Sequence, residues 1–194
     1  MKLSGLILAA GRSSRMGRDK ALLEYCGDTF LNRQIFLMLP RVDELVVVLG
    51  HHADEIRLTI PDAAGLRTTV NENYDVGMLS SLQAGLAAIG TEADWVLFAL
   101  VDHPVVRGRT LDRLTQACRN SDAPLVIPRL NGQRGHPVVL SRAVREEIGA
   151  LDPAASPQDV VRSHYGEALF VDVDDRGVVT DIDLPEDYDL VTAR

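Results

Sequence analysis

Apolar residues in this chain come in short unbroken runs, and the stretches between them repeat their apolar positions every three to four residues. The first pattern predicts strands buried on both faces, and the second predicts helices lying against them. Strands are expected at 6–9, 45–49, 66–70, 95–101, 125–127, 137–140 and 169–173. Helices are expected at 30–39, 52–58, 80–89, 111–118, 142–148, 160–165 and 186–191. Gly11, Gly50 and Asp102 close three of the strands, Thr29 is placed to cap the first helix, Pro40 to stop it, and Gly90 to end the third. This alternation predicts an α/β fold of three layers, α/β/α, around a mostly parallel sheet. Ligands in such folds bind beyond the C-terminal ends of the strands, where the strand order reverses. Residues 11–20, residues 71–81 and Asp102 each follow a strand and are expected to meet at one mouth. Residues 153–157, with Pro153 and Pro157, are turn-rich but too short for a linker.

A length of 194 residues suits one full core, so a single domain over 1–194 is expected. The composition, 46% hydrophobic and 25% charged, is that of a soluble globular protein. A net charge of −8 disfavours a general nucleic-acid or anionic-membrane binder, because such binding depends on neutralising phosphates. The charge is uneven: residues 172–194 hold eight acids and two arginines, whereas residues 12–20 hold four basic residues and one acid. Cys26 and Cys118 have neither the number nor the spacing of a disulfide framework or a zinc site, and read as plain core or surface thiols in a reducing compartment. No apolar run approaches the roughly 18 residues of a membrane span. The first residues read as a strand leading into a basic loop, so a cytoplasmic location is expected.

The loop Gly11-Arg12-Ser13-Ser14-Arg15-Met16-Gly17-Arg18-Asp19-Lys20 fits neither the Walker pattern nor the dinucleotide pattern Gly-x-Gly-x-x-Gly. Its ingredients still suit a polyphosphate. Small residues let backbone N–H groups approach oxygens, Gly11 and Gly17 permit unusual backbone angles, and Arg15 and Lys20 supply a planar fork and a point charge. A solvated basic loop is the plain alternative.

The order of residues goes further than their composition. Leu8-Ala9-Ala10-Gly11, followed by Arg15-Met16-Gly17 and Lys20, resembles the nucleotide-binding signature of the molybdenum cofactor nucleotidyltransferase-like family. The resemblance continues in Asn71, Gly77-Met78 and Ser80-Ser81-Leu82, in Asp102-His103-Pro104, in Arg134-Gly135-His136-Pro137, and in Asp181-Ile182-Asp183-Leu184-Pro185-Glu186-Asp187. It implies a Rossmann-like fold of the nucleotide-diphospho-sugar transferase type. It also implies a nucleotidyl transfer, in which a phosphate oxygen of an acceptor attacks the α-phosphorus of a nucleoside triphosphate and expels pyrophosphate.

On that resemblance Leu8, Ala9, Ala10, Gly11, Arg12, Ser13 and Ser14 would contact the nucleotide. Arg15 and Lys20 would hold the triphosphate, and Lys20 would also steady charge at the α-phosphate. Asp102 and Asp183 would hold Mg²⁺, whose preference is for hard oxygen ligands. For Asp102 a helix cap or loop hydrogen bond remains open, and for Asp183 a merely solvated acid. Asn71, Gly77, Met78, Ser80 and Ser81 would lie near the base, although Ser80 or Ser81 is equally placed to be an ordinary N-cap. Ala10, where guanylyl members carry glycine, leans the base toward CTP. His103 and His136 would contact the acceptor, with a structural histidine the alternative at His136. His51 and His52 match no motif and read as surface residues.

Two positions depart from the family pattern: His103 stands where cytidylyl members commonly have Gln, and Leu184 where Thr is usual. Both put the acceptor in question more than the chemistry. The implied reaction joins CTP to molybdopterin, for delivery to a molybdoenzyme client. The competing readings are another triphosphate such as GTP, another phosphorylated acceptor such as a sugar or alcohol phosphate, a nicotinamide-dependent oxidoreductase, and a non-catalytic nucleotide-binding module.

Overall fold

The computed structural model describes residues 1–152 and 155–193. Pro153 and Ala154 of the turn-rich stretch, and Arg194 at the end of the acidic tail, lie outside the described residues. In chain order the elements are β1 (Leu3–Ala9), β2 (Glu24–Tyr25), β3 (Asp28–Thr29), α1 (Phe30–Met38), β4 (Glu44–Leu49), α2 (Ala53–Arg57), β5 (Leu66–Val70), α3 (Met78–Ala88) and β6 (Trp95–Leu100). They continue with α4 (Gly108–Arg119), β7 (Leu125–Leu130), β8 (Gln133–Arg134), β9 (Val138–Ser141), α5 (Arg142–Gly149), α6 (Pro157–Ser163), β10 (Leu169–Asp172) and α7 (Pro185–Thr192).

The main sheet runs β10-β7-β9-β6-β1-β4-β5, with β8 paired to β7. Strands β6, β1, β4 and β5 are parallel, and β10 is parallel to β7. Strand β9 runs antiparallel to both its neighbours, so the sheet is mixed with mostly parallel strands. Side chains alternate across it. Ile7, Val47 and Leu97 face the layer of α1 and α4, while Leu6, Leu8, Val46 and Val48 face α3, α5 and α6. From β1 the chain steps to β4 and β5 on one side, and later to β6 on the other. The strand order therefore reverses at β1, which opens a crevice beyond the ends of β1 and β6.

Several limits differ from the sequence pattern, each for a visible reason. Strand β1 begins at Leu3 because the two residues that interrupt the apolar run are accommodated. The Ser4 hydroxyl donates to Glu44 Oε1 at 2.8 Å, and Gly5 sits so close under Leu45 that a Cβ would come within 2.6 Å of its Cδ1. Helix α3 begins at Met78 behind Gly77, whose φ of 136° is open to glycine and strained for other residues. Ser80 and Ser81 are thus inside the first turn, and the N-cap reading of either is wrong. Thr29 does cap α1, accepting from the Asn32 amide. The β2–β3 hairpin went unseen because its strands are two residues long. Its turn residues Cys26 and Gly27 both have positive φ, 55° and 85°, as a type I′ hairpin turn requires.

Candidate active site

The loop after β1 is shaped by Ser13. Its φ is 51°, its carbonyl accepts from the amides of Met16 and Gly17 at 3.0 and 3.1 Å, and its hydroxyl accepts from the Lys20 amide at 3.1 Å. Gly17 also takes a positive φ, 72°, but Gly11 does not; the special angle expected at Gly11 belongs to Ser13. Met16 is buried with Leu23, Phe30 and Ile182, which anchors the cationic loop to the acidic tail. Among the described residues, no protein group accepts from the backbone N–H of Gly11, Arg12, Ser14 or Arg15.

This loop forms one wall of a cavity of about 390 Å³. Leu8, Ala9, Ala10, Gly11, Ser13, Ser14, Arg15, Lys20, Gly77, Met78, Ser81, Asp102 and Asp183 line it, together with Asp19, Ala21, Ile56, Tyr74, Leu100 and Val101. Most of the residues proposed for the nucleotide are therefore neighbours. Three are not in the lining. Arg12 leans over the Tyr74 ring, 5.7 Å from its centroid, and its Nε donates to Asp75 Oδ1 at 2.7 Å. That bond holds the Asp75 carboxyl below its usual range. Asn71 is buried, donating to Ser80 Oγ and Ser81 Oγ at 2.9 and 3.0 Å and accepting from the Asn73 amide. The Ser80 hydroxyl lies against the carbonyls of Gly77 and Asn73. Asn71 and Ser80 thus shape the turn that presents Gly77, Met78 and Ser81.

At the floor of the cavity the charges are paired across the fold. Buried Lys20 places Nζ 3.3 Å from Asp102 Oδ2 and in a very short contact with Asp183 Oδ1. Arg15 holds the other Asp183 oxygen at 2.7 Å. The Lys20 hydrogen bond, and secondly the charges of Lys20 and Arg15, hold the Asp183 carboxyl below the usual carboxylate range. Asp183 reaches this place because the Ile182 amide donates to the Asp102 carbonyl at 2.9 Å. Asp187 then accepts from the amides of Asp183 and Leu184 at 3.1 and 2.8 Å, fixing the start of α7. The spacing of Asp187 in the run 181–187 is the signal that could have revealed this supporting role. Asp102 caps no helix, since α4 starts only at Gly108. Its Oδ1 is sealed from solvent without a hydrogen-bond partner. An orphaned carboxylate oxygen is costly unless a cation meets it, so the Asp102–Asp183 pair fits a hard divalent ion such as Mg²⁺.

A second groove, about 590 Å³, shares Arg15, Met78, Leu100, Asp102 and Asp183 with the first cavity. Its walls are apolar, from Leu82, Phe98, Ile127, Val138, Leu140, Ile148 and Val161, and Arg134, Gln158, Arg162 and Tyr165 add its polar groups. The Arg134 guanidinium lies over the Tyr165 ring, 4.3 Å from its centroid. His136 borders this groove, with its ring edge-on to Phe98. Its Nδ1 is sealed without a partner, and burial, with His103 adding, pushes its pKa down to about 4. His103 does not line the groove. Its Nδ1 lies 3.4 Å from the Gly177 carbonyl and its Nε2 3.9 Å from Asp102 Oδ1. His52 is exposed and His51 half-buried, as surface residues would be, and their rings stack on each other beside the loop. Cys118 is buried and Cys26 exposed, both as free thiols. No helix among the described residues is long and apolar enough to cross a membrane.

The chain is 27% identical over 192 residues to the molybdenum cofactor cytidylyltransferase of Escherichia coli (strain K12), covering 97% of this chain and 94% of that protein. It is 31% identical over 197 residues to the nicotine blue oxidoreductase of Paenarthrobacter nicotinovorans, covering 95% and 93%. Molybdenum cofactor guanylyltransferases also occur among its relatives. The crystal structure of Rv0371C in complex with manganese, from Mycobacterium tuberculosis H37Rv, superposes with a TM-score of 0.82 at 26% identity, covering 100% of this chain and 99% of that one. The model of the MobA-like NTP transferase domain matches residues 5–168, a span that includes the cationic loop, Asp102 and the switch in strand order. The chain belongs to that family and is a nucleotidyltransferase of the MobA-like type.

Proposed function

We propose that the chain transfers CMP from CTP to molybdopterin with release of pyrophosphate, using Mg²⁺ held by Asp102 and Asp183. The observation that carries this reading is the meeting of two cations and two carboxylates where the polar cavity joins the apolar groove. A triphosphate in the first site and a largely apolar acceptor in the second would bring donor and nucleophile together there. Nucleotidyl transfer needs this in-line placement and charge neutralisation, without a covalent enzyme intermediate. The free amides of the loop would cradle phosphate oxygens. Arg15 and Lys20, now on the carboxylates, would turn to the triphosphate as it enters and meet the charge growing on the leaving pyrophosphate. Bound Mg²⁺ would supply further neutralisation of the phosphate oxygens. Ala10 lines the same cavity as Gly77, Met78 and Ser81, which supports the smaller base.

The test is pyrophosphate release by purified protein given Mg²⁺, Mo-molybdopterin and CTP. Turnover with GTP alone would reassign the base, and turnover only with a sugar or alcohol phosphate would reassign the acceptor. The relative at 31% identity named as an oxidoreductase favours a second reading, reduction by a nicotinamide cofactor. Hydride transfer from NADH or NADPH to an added quinonoid dye as two-electron acceptor, without any pyrophosphate release, would establish that reading instead.

A further inference from the structure

Beside the cationic loop, apart from the carboxylate pair, stands another group of ligand-type side chains. Asp19 is the last loop residue before Lys20, and His51 and His52 form the turn between β4 and α2. One donor atom from each of the three lies within 4.8 Å of the other two. His52 Nδ1 is 2.7 Å from Asp19 Oδ2. The two imidazole centroids are 3.8 Å apart with their planes inclined at 27°. Adjacent side chains reach this position because His52 adopts left-handed backbone, φ 50°, a conformation uncommon outside glycine and often kept for a purpose. The turn is itself anchored: the His51 amide donates to the Ala10 carbonyl at 3.1 Å, and His51 Nδ1 lies 3.4 Å from the Tyr74 hydroxyl.

We propose that Asp19, His51 and His52 form a separate binding site for a divalent transition-metal ion, which ties the loop carrying Lys20 to the turn after β4. Two imidazoles and one carboxylate are the donor set of Zn²⁺, Co²⁺ or Ni²⁺, whereas Mg²⁺ selects oxygen ligands alone. The ion replaces the proton shared between His52 and Asp19, and a small rotation of the two rings turns their nitrogens toward it. The Tyr74 hydroxyl holds one ring nitrogen of His51 and leaves the other to ligate, as outer partners of metal-bound histidines do. His52 is half exposed, so water completes the coordination. The binding itself does not rest on the proposed reaction. Its consequence does: Asp19 and Tyr74 also line the nucleotide cavity, so the ion would steady the peptide that carries Lys20.

Co²⁺ is the direct probe, titrated into the whole chain at pH 8 with saturating Mg²⁺ and followed by visible absorption. The expected result is one Co²⁺ per chain with the spectrum of nitrogen ligation, retained in D102N/D183N. Binding should weaken at least tenfold in H51N and in H52N, the latter chosen because asparagine tolerates left-handed backbone. Two results would overturn the site. One is Co²⁺ binding as tight in H51N and H52N as in the unsubstituted chain. The other is a spectrum lost in D102N/D183N and unchanged in H52N, which would put the ion on the carboxylate pair. If D102N/D183N does not fold, the Mg²⁺-saturated wild-type and H52N titrations decide the question between them.

Discussion

The cavity beyond β1 and the groove beside β9 share a wall at Asp102 and Asp183, yet they are built differently. The cavity owes most of its lining to one continuous loop and two strand ends, and its charges are matched in pairs. The groove collects apolar side chains from six elements, one or two from each, with arginines among them. One region is specified by the order of residues along the chain, the other by which elements happen to pack together. On the proposed reaction, chemistry common to many substrates would belong to the first, and the shape that selects an acceptor to the second.

The comparison breaks most readily at the shared wall. D102N keeps the size of the side chain and removes its charge. Pyrophosphate release should fall by about 10³-fold or more, in the range seen when electrostatic groups at a reacting phosphate or oxyanion are removed. Near-normal turnover with an unchanged circular dichroism spectrum would detach the carboxylate pair from the reaction.

A smaller effect separates the wall of the groove from its function. The His136 pKa of about 4 lies below its ordinary 6.5, so the folded protein favours the neutral ring. That contribution is complete above pH 6.5 and is lost as the pH falls toward 4. Between pH 7 and pH 5 it amounts to about 2 kcal/mol, roughly a 20-fold change in the folding equilibrium. H136F keeps an aromatic ring against Phe98 and should lose this much less stability over the same interval in urea titrations. An identical pH dependence would mean that His136 is not the group being titrated.

Narrowing the groove should touch one substrate only. V161W is expected to raise KM for the acceptor about tenfold, through lost close packing in an apolar site, while KM for the nucleotide stays constant. A rise in both would mean that the two sites are not separate. The mildest change is D75N, which loosens Arg12. Both partners are more than half exposed, and such pairs contribute little, so KM for the nucleotide should change by less than about threefold.

Much of the frame was legible. Unbroken apolar runs located β4, with its three valines, and β6, because strands buried on both faces leave little room for polar positions. The direction of β9 was not, since a run of four apolar residues reads the same whichever way it pairs. Neither was the position of Ser80 and Ser81, for a serine before a helical stretch resembles a cap until glycine is seen to start the helix one turn earlier. His103 and His136 carry a motif, but a motif does not say which face of a wall a ring occupies.

By itself, the order of residues determined the alternation of strands and helices, the cationic loop, and the carboxylates at 102 and 183. These depend on local conformation and on which side chains water excludes, both of which are written over a few neighbouring positions. Only the tertiary structure decided that Lys20 stands between Asp102 and Asp183, the second of them 163 residues away. It also decided that Asp19 meets His52 and that an apolar groove opens onto the same carboxylates. Those meetings follow from burying Met16 against Ile182 and from hydrogen bonding the tail to the end of β6. Such long-range closure is fixed by the packing of the whole core, and no short segment contains it.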